Sequence, residues 1–152
     1  MNMIAKFLLL VALSIFPVLA SAEETLPESI IEIVTQKSAS HFLTVEVAEN
    51  KEQQSKGLMF RTDLAEDRGM LFLFKDNPYA AMWMKNTLIS LDMLFIDKQG
   101  KIIYIAQKTQ PESLDVISAY APTAAVLEVK AGIAEKLGIT EGDMVKHYYF
   151  EQ

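Results

Sequence analysis

The chain of 152 residues contains no cysteine. This excludes a disulfide scaffold, a thiolate nucleophile, a Cys-ligated zinc and an iron–sulfur centre together. Its two histidines, His41 and His147, are far apart and have no carboxylate at ligand spacing. No metal and no cofactor is therefore expected. Fourteen Lys and Arg stand against 20 Asp and Glu, a formal charge of −6. With no basic cluster to neutralise phosphates, nucleic acid is not an expected partner. A Gly-rich phosphate loop, a nucleophile elbow and a defensible Ser–His–Asp order are all missing. The catalytic residues, if there are any, stay unknown at this level.

What is present begins with a leader. Lys6 precedes an apolar run from Phe7 to Leu19, which ends in Ala20-Ser21-Ala22, a small-x-small site of the kind signal peptidase accepts. The run is too short to span about 30 Å of hydrocarbon. Residues 1–22 read as a signal peptide, either cleaved or kept as an N-terminal anchor. Cleavage would remove one base and no acid, leaving a periplasmic or secreted protein with no stable membrane span. A hydrophobic fraction of 51% then has to supply the core that disulfides do not.

Past a polar lead-in with Pro27, Ile30–Thr35 is rich in β-branched residues and reads as a strand. Residues 23–40 thus form a lead-in and first strand, and 41–152 the main domain. Phe42–Ala48 alternates, with Leu43, Val45 and Val47 on one face, so an antiparallel hairpin is predicted. Asn50 and Gln53 fit a capping box for a short helix over Lys51–Lys56, stopped by Gly57. Gly69–Phe74 is a continuous apolar run, predicted as a strand buried on both faces. Asp76-Asn77-Pro78 is a turn, and Tyr79–Lys85 reads as a further strand. Met93–Ile96, the type I turn Asp97–Gly100 and Lys101–Lys108 make a second hairpin. Thr109–Pro122 is a long loop. Ala124–Lys130 is a strand, Ala131–Leu137 a short helix ended by Gly138, and Met144–Phe150 a last strand. Strands outnumber helices by about seven to two without regular alternation, so the fold class is mainly β: a β-sandwich or partly closed barrel with two short helices.

Five blocks occur in order: Gly57-Leu58-Met59-Phe60-Arg61, Gly69-Met70-Leu71-Phe72, Trp83-Met84-Lys85-Asn86-Thr87, Leu91–Asp97, and Val126-Leu127-Glu128 with Gly132. Together they resemble the bacterial and archaeal domain of unknown function number 192 (DUF192), from about Leu43 to Phe150. Two positions depart from the pattern: Ser90 stands where proline is usual, and Met82 where an aromatic residue usually precedes the tryptophan. The resemblance implies a mainly β, sandwich-like fold, often exported and often standing alone. It implies no reaction.

The candidate site gathers around Trp83. Lys85 offers a positive charge, Asn86 an amide and Thr87 a hydroxyl, with Asp92 close behind. Such a group can hold a polar or glycan-like ligand, the indole stacking on a sugar face. Alternatively, Asn86 and Thr87 satisfy a turn and Lys85 pairs with Asp92. Arg61 can anchor an anionic ligand or pair internally with Glu128. If Tyr79–Lys85 is a strand, Trp83 and Lys85 share its outer face while Met82 and Met84 meet the core; the competing arrangement buries Trp83. Five methionines between Met59 and Met93 raise a copper(I) hypothesis, but core packing is their ordinary use. The expected function is a small periplasmic binding or accessory module for a small polar or anionic ligand, or for an envelope partner protein. The alternative is a small hydrolase or lyase using Lys85, Asp92 and Glu128. A purely structural role for Arg61, Asn86, Asp92 and Glu128 is the third reading, since each lies beside apolar residues where polar groups need partners.

Overall fold

The computed structural model describes residues 25–75 and 79–151. The signal segment 1–22 and the turn Asp76-Asn77-Pro78 lie outside the described residues. Seven strands form one sheet: β1 (Glu28–Val34), β2 (Ser40–Ala48), β3 (Arg68–Leu73), β4 (Leu91–Ile96), β5 (Ile102–Ala106), β6 (Ala125–Lys130) and β7 (Met144–Lys146). Two short helices accompany them, α1 (Lys51–Lys56) and α2 (Ile133–Leu137), with a 3-10 turn at Tyr148–Phe150.

The sheet order is β5-β4-β6-β3-β2-β1-β7. β1 and β2 form the predicted antiparallel hairpin, and β1 also pairs with β7. β2 and β3 run parallel, whereas β3–β6, β6–β4 and β4–β5 are antiparallel. The two edges then meet. Lys101, just before β5, bridges Met144 of β7. Val145 N–H donates to Gly100 O at 2.7 Å, and Ile102 N–H to Asp143 O at 2.9 Å. The fold is therefore a nearly closed barrel, the second of the two expected architectures.

Side-chain alternation gives this barrel two cores. All seven strands send apolar residues inward, among them Ile33, Val45, Leu71, Leu94, Leu127 and Val145, with Ile133 and Ala134 of α2 packed among them. The outer face carries a second core built on Met70, Phe72, Met93, Phe95 and Val126. Chain segments lie over it, through Leu58 and Leu64 and through Ala80 and Met84.

Local signals explain much of this. Asn50 Oδ1 accepts from Gln53 N–H at 2.9 Å, and Gln53 Oε1 accepts from Asn50 N–H at 3.3 Å, a complete capping box on α1. Asp97 Oδ1 accepts from the amides of Gln99 and Lys101, both at 2.9 Å, fixing the β4–β5 turn. Three expectations are corrected. Tyr79–Lys85 is no sheet strand: it makes one isolated bridge, Met82 to Ile117, because it pairs with the long loop and not with the barrel. The last strand ends at Lys146, where His147 caps the 3-10 turn. The strand after Gly100 stops at Ala106.

Closure puts a specific demand on Gly100. Its φ is +84°, and a Cβ there would lie 2.4 Å from Val145 O. Gly138 shares a positive φ of +67° but has open space around it. The variant Gly138→Ala should cost about 1 kcal/mol from conformation alone. Gly100→Ala should cost about 2–4 kcal/mol, because a backbone clash at the seam is added. Urea denaturation of both variants measures the difference; equal costs would mean that the seam yields freely.

Candidate functional site

A buried acid stands in the outer core. Strand register places Glu46 of β2 opposite Met70 of β3, Met70 opposite Glu128 of β6, and Glu128 opposite Met93 of β4. These four form a row across the outer face. Glu128 is 4% exposed, and among the described residues its carboxyl makes no hydrogen bond or ion pair. Burial among apolar neighbours penalises the charged form and pushes its pKa up to about 8. Glu128 is thus a neutral acid at neutral pH.

Arg61 does not neutralise it. The guanidinium grips Glu46 with two parallel bonds, Nη1 to Oε1 and Nη2 to Oε2, each 2.6 Å. The expected Arg61–Glu128 pair is corrected on physical grounds. Glu46 lies nearer solvent, with its side chain 17% exposed, so pairing there spares the guanidinium the desolvation that Glu128 would demand. Two residues on, Asp63 accepts from Lys130 Nζ at 3.1 Å. The segment after α1 therefore reaches from β2 to β6, crossing β3.

The segment from Tyr79 to Ser90 is anchored by alternate side chains, as an extended chain should be. Met84 is fully buried and Met82 packs on the outer core, while Trp83 is 47% exposed. The face assignment drawn from alternation therefore holds without a sheet strand. Lys85 places its ammonium 5.0 Å from the Trp83 ring centroid, a cation–π contact worth about 0.5–1 kcal/mol at an exposed site. Lys85 does not pair with Asp92, which corrects the second expected ion pair; Asp92 is turned away on the other side of the sheet. Asn86 sits at φ +55°. Its carbonyl accepts from Phe60 N–H at 2.9 Å, and its amide lies 3.8 Å from Met59 Sδ. Thr87 is buried, donates to Lys85 O at 3.3 Å and accepts at its own carbonyl from Glu112 N–H at 3.1 Å.

Asp92 is fully buried and belongs to the inner face, opposite Val129. One carboxylate oxygen accepts from Lys108 N–H at 2.8 Å; the other accepts from Gly132 N–H at 2.9 Å and Ala134 N–H at 3.0 Å. Three amides from two loops are satisfied by one side chain, including two at the start of α2.

The structure thus brings Arg61, Asn86 and Glu128 to the outer face, with Trp83, Lys85 and Thr87 in the segment above it. Asp92 is separated from them. The proposed acid–base pair of Asp92 and Glu128 is divided by the sheet, because adjacent strand residues point to opposite faces. Two residues of the outer face escaped sequence reasoning. Glu46 stood out only as a polar position in the β2 alternation, a pattern that normally means solvent. Phe60 appeared only as a member of the block Gly57–Arg61, with no role attached; it is 67% exposed with φ +65°.

Two variants test these assignments. Asp92→Ala strands three amides and should lower stability by roughly 1–3 kcal/mol, measured by thermal unfolding. Glu128 has a folded pKa above its unfolded value, so its stabilising share is complete below about pH 4.5 and is lost as pH rises toward 8. Glu128→Gln cannot titrate. The stability gap should therefore move in favour of the variant between pH 5 and 8, by at most about 1.4 kcal/mol per unit; a gap independent of pH would mean an ordinary pKa for Glu128.

The family model of DUF192, described as an uncharacterized ACR family, matches residues 32–147. A solved structure of a candidate transcription regulator from Sinorhizobium meliloti 1021 superposes with a TM-score of 0.80 at 40% identity, covering 82% of this chain and 96% of that one. A protein of unknown function from Novosphingobium aromaticivorans DSM 12444 gives a TM-score of 0.77 at 36% identity, covering 90% and 94%. No curated protein matches. With the five sequence blocks laid out on one barrel and a family match over most of its length, the chain belongs to the DUF192 family.

Proposed function

We propose that this chain is an exported binding module which holds a polar, ring-bearing, glycan-like ligand on the loop face around Phe60, Trp83 and Lys85. The observation that carries the reading is Phe60. A bulky residue in the left-handed region costs on the order of 1–2 kcal/mol, and Phe60 recovers little of it by burial, being 67% exposed. Its amide is tied to Asn86, three residues from the half-exposed Trp83. Such strain with an outward aromatic ring is the pattern of a ligand-contacting position. Trp83 supplies an indole face, steadied by Lys85 and by the buried Met84 beside it. Arg61, held by Glu46, lies next to Phe60 and borders this face.

The hydrolase or lyase alternative is less favoured, since Lys85, Asp92 and Glu128 do not converge. Direct binding of DNA, which the description of the Sinorhizobium relative would bring to mind, is also disfavoured. The chain carries a net charge of −6 and no basic cluster. Placement in the cell envelope rests on the leader sequence alone.

Trp83 is the only tryptophan, so its fluorescence reports directly on this face. Titration with peptidoglycan fragments and chitooligosaccharides should shift or quench the emission. Phe60→Gly should weaken that binding by about tenfold or more and raise stability by about 1 kcal/mol, because glycine relieves the backbone strain. A stability loss in Phe60→Gly, with no fluorescence response to any saccharide, would assign Phe60 to the fold and defeat the proposal.

A further inference from the structure

A second feature lies at the end of the barrel where β6 begins, the opposite end of that strand from α2. Two adjoining cavities open there, of about 570 and 440 Å³. Both are lined by Lys75, Lys98, Ala124 and Tyr149, so these four mark their common boundary. The larger is floored by Phe74 and Ile103. Its volume falls in the range of small-molecule sites, roughly 300–1,000 Å³. Neither cavity shares a residue with the Phe60–Trp83 face.

Sheet topology explains the pair of lysines. β6 runs between β3 and β4. Phe74 N–H donates to Ala124 O, and Ala124 N–H to Ile96 O, both at 2.8 Å, so the ladder extends one step beyond the named strands. Lys75 continues β3, and Lys98 stands in the turn after β4. Two strand spacings separate β3 from β4, about 10 Å. Lys75 and Lys98 therefore stand on either side of the entrance to β6, and both line the trough with its apolar floor.

Two acids line the same trough, Asp97 in the larger cavity and Glu49 in the smaller. Asp97 Oδ1 accepts from the amides of Gln99 and Lys101. Glu49 reaches Lys75 only at 3.5 Å, with both side chains largely exposed, so that pair is weak. Lys98 has no hydrogen bond or ion pair among the described residues. Lys98 is thus the lining cation without an ion pair among the described residues, and it stands beside an aromatic and aliphatic floor.

We infer that this trough binds a small organic anion with a flat apolar body, an aromatic carboxylate in chemical class. The carboxylate sits between Lys75 and Lys98, and the ring lies on Phe74, Ile103 and Tyr149. Because both lysines are exposed, their attraction is screened by salt. Ring burial supplies the affinity and the lysines set the preference for an anion.

Titration of the ¹⁵N-labelled protein with 2-naphthoate, followed by amide chemical shifts, tests the site. Shift changes are expected at Lys98, Gln99, Ala124 and Tyr149. The neutral analogue 2-naphthalenemethanol should bind more weakly, and added salt should weaken 2-naphthoate but not the alcohol. Lys98→Glu, an exposed substitution that leaves the fold intact, should weaken 2-naphthoate by about tenfold or more. Trp83→Ala should leave it unchanged, which keeps this test independent of the saccharide test. No shift change at millimolar 2-naphthoate, shifts centred on Trp83, or equal affinity in Lys98→Glu would each overturn the inference.

Discussion

All six residues of β4 are buried, and β3 and β6 are buried along all but one end residue each. A strand that is apolar on both faces has to be covered on both, and the rest of the molecule follows from that demand. The inner faces are covered when the sheet curls on itself and α2 packs at one end. The outer faces have no helix layer to cover them, so the irregular segments do it. This is why chain that would otherwise be surface loop carries Leu58, Leu64 and Met84 into a core. It is also why those segments form a firm platform: they are held by packing from below and by backbone bonds such as Phe60 to Asn86.

The same demand divides the acids into different electrostatic roles. Asp92 lies in the inner core, where its carboxylate accepts from three backbone amides. Glu128 lies on the opposite face with thioether neighbours and no donor among the described residues, a setting that suits the protonated form. Glu46, two strands from Glu128 in the same row, stays paired with Arg61. Three carboxylates, on β4, β6 and β2, thus meet amides, no donor among the described residues, and a guanidinium. Each outcome follows from what the neighbouring chain happens to present at that height.

What was legible in the sequence was the information that is local. The capping box of α1, the Asp97–Gly100 turn, the two hairpins and the doubly buried run Gly69–Phe74 all depend on residues within a few positions of each other. The outward Trp83 and inward Met84 were legible too, because alternation belongs to any extended segment. What was not legible depends on strand order. β6 inserts between β3 and β4 although it follows both in sequence, and that insertion puts Glu128 beside Met70 and Met93. The parallel placement of β2 next to β3 gives Arg61 its partner Glu46, a pairing that no spacing rule contains. Tyr79–Lys85 has strand-like composition and an extended shape, but its hydrogen bonds go to Ile117 and Ser113 in the long loop. Composition reports the extension and not the partner. The cavities beside Lys98 arise from chain ends meeting across three strands, and the residues concerned look like ordinary turn residues in sequence.

The seam between Gly100 and Val145 bears on how such a protein behaves in a crowded compartment. An open sheet would present two rows of unpaired amides and carbonyls, a template for pairing with other copies. Here β7 has three residues, the last of them the exposed Lys146, and Lys101 bridges to it from the other edge. Little free edge is left, and what remains is short and carries charged side chains, Lys146 among them. A chain with no disulfides to hold its strands together is thereby shielded from strand-by-strand aggregation through the topology of its sheet.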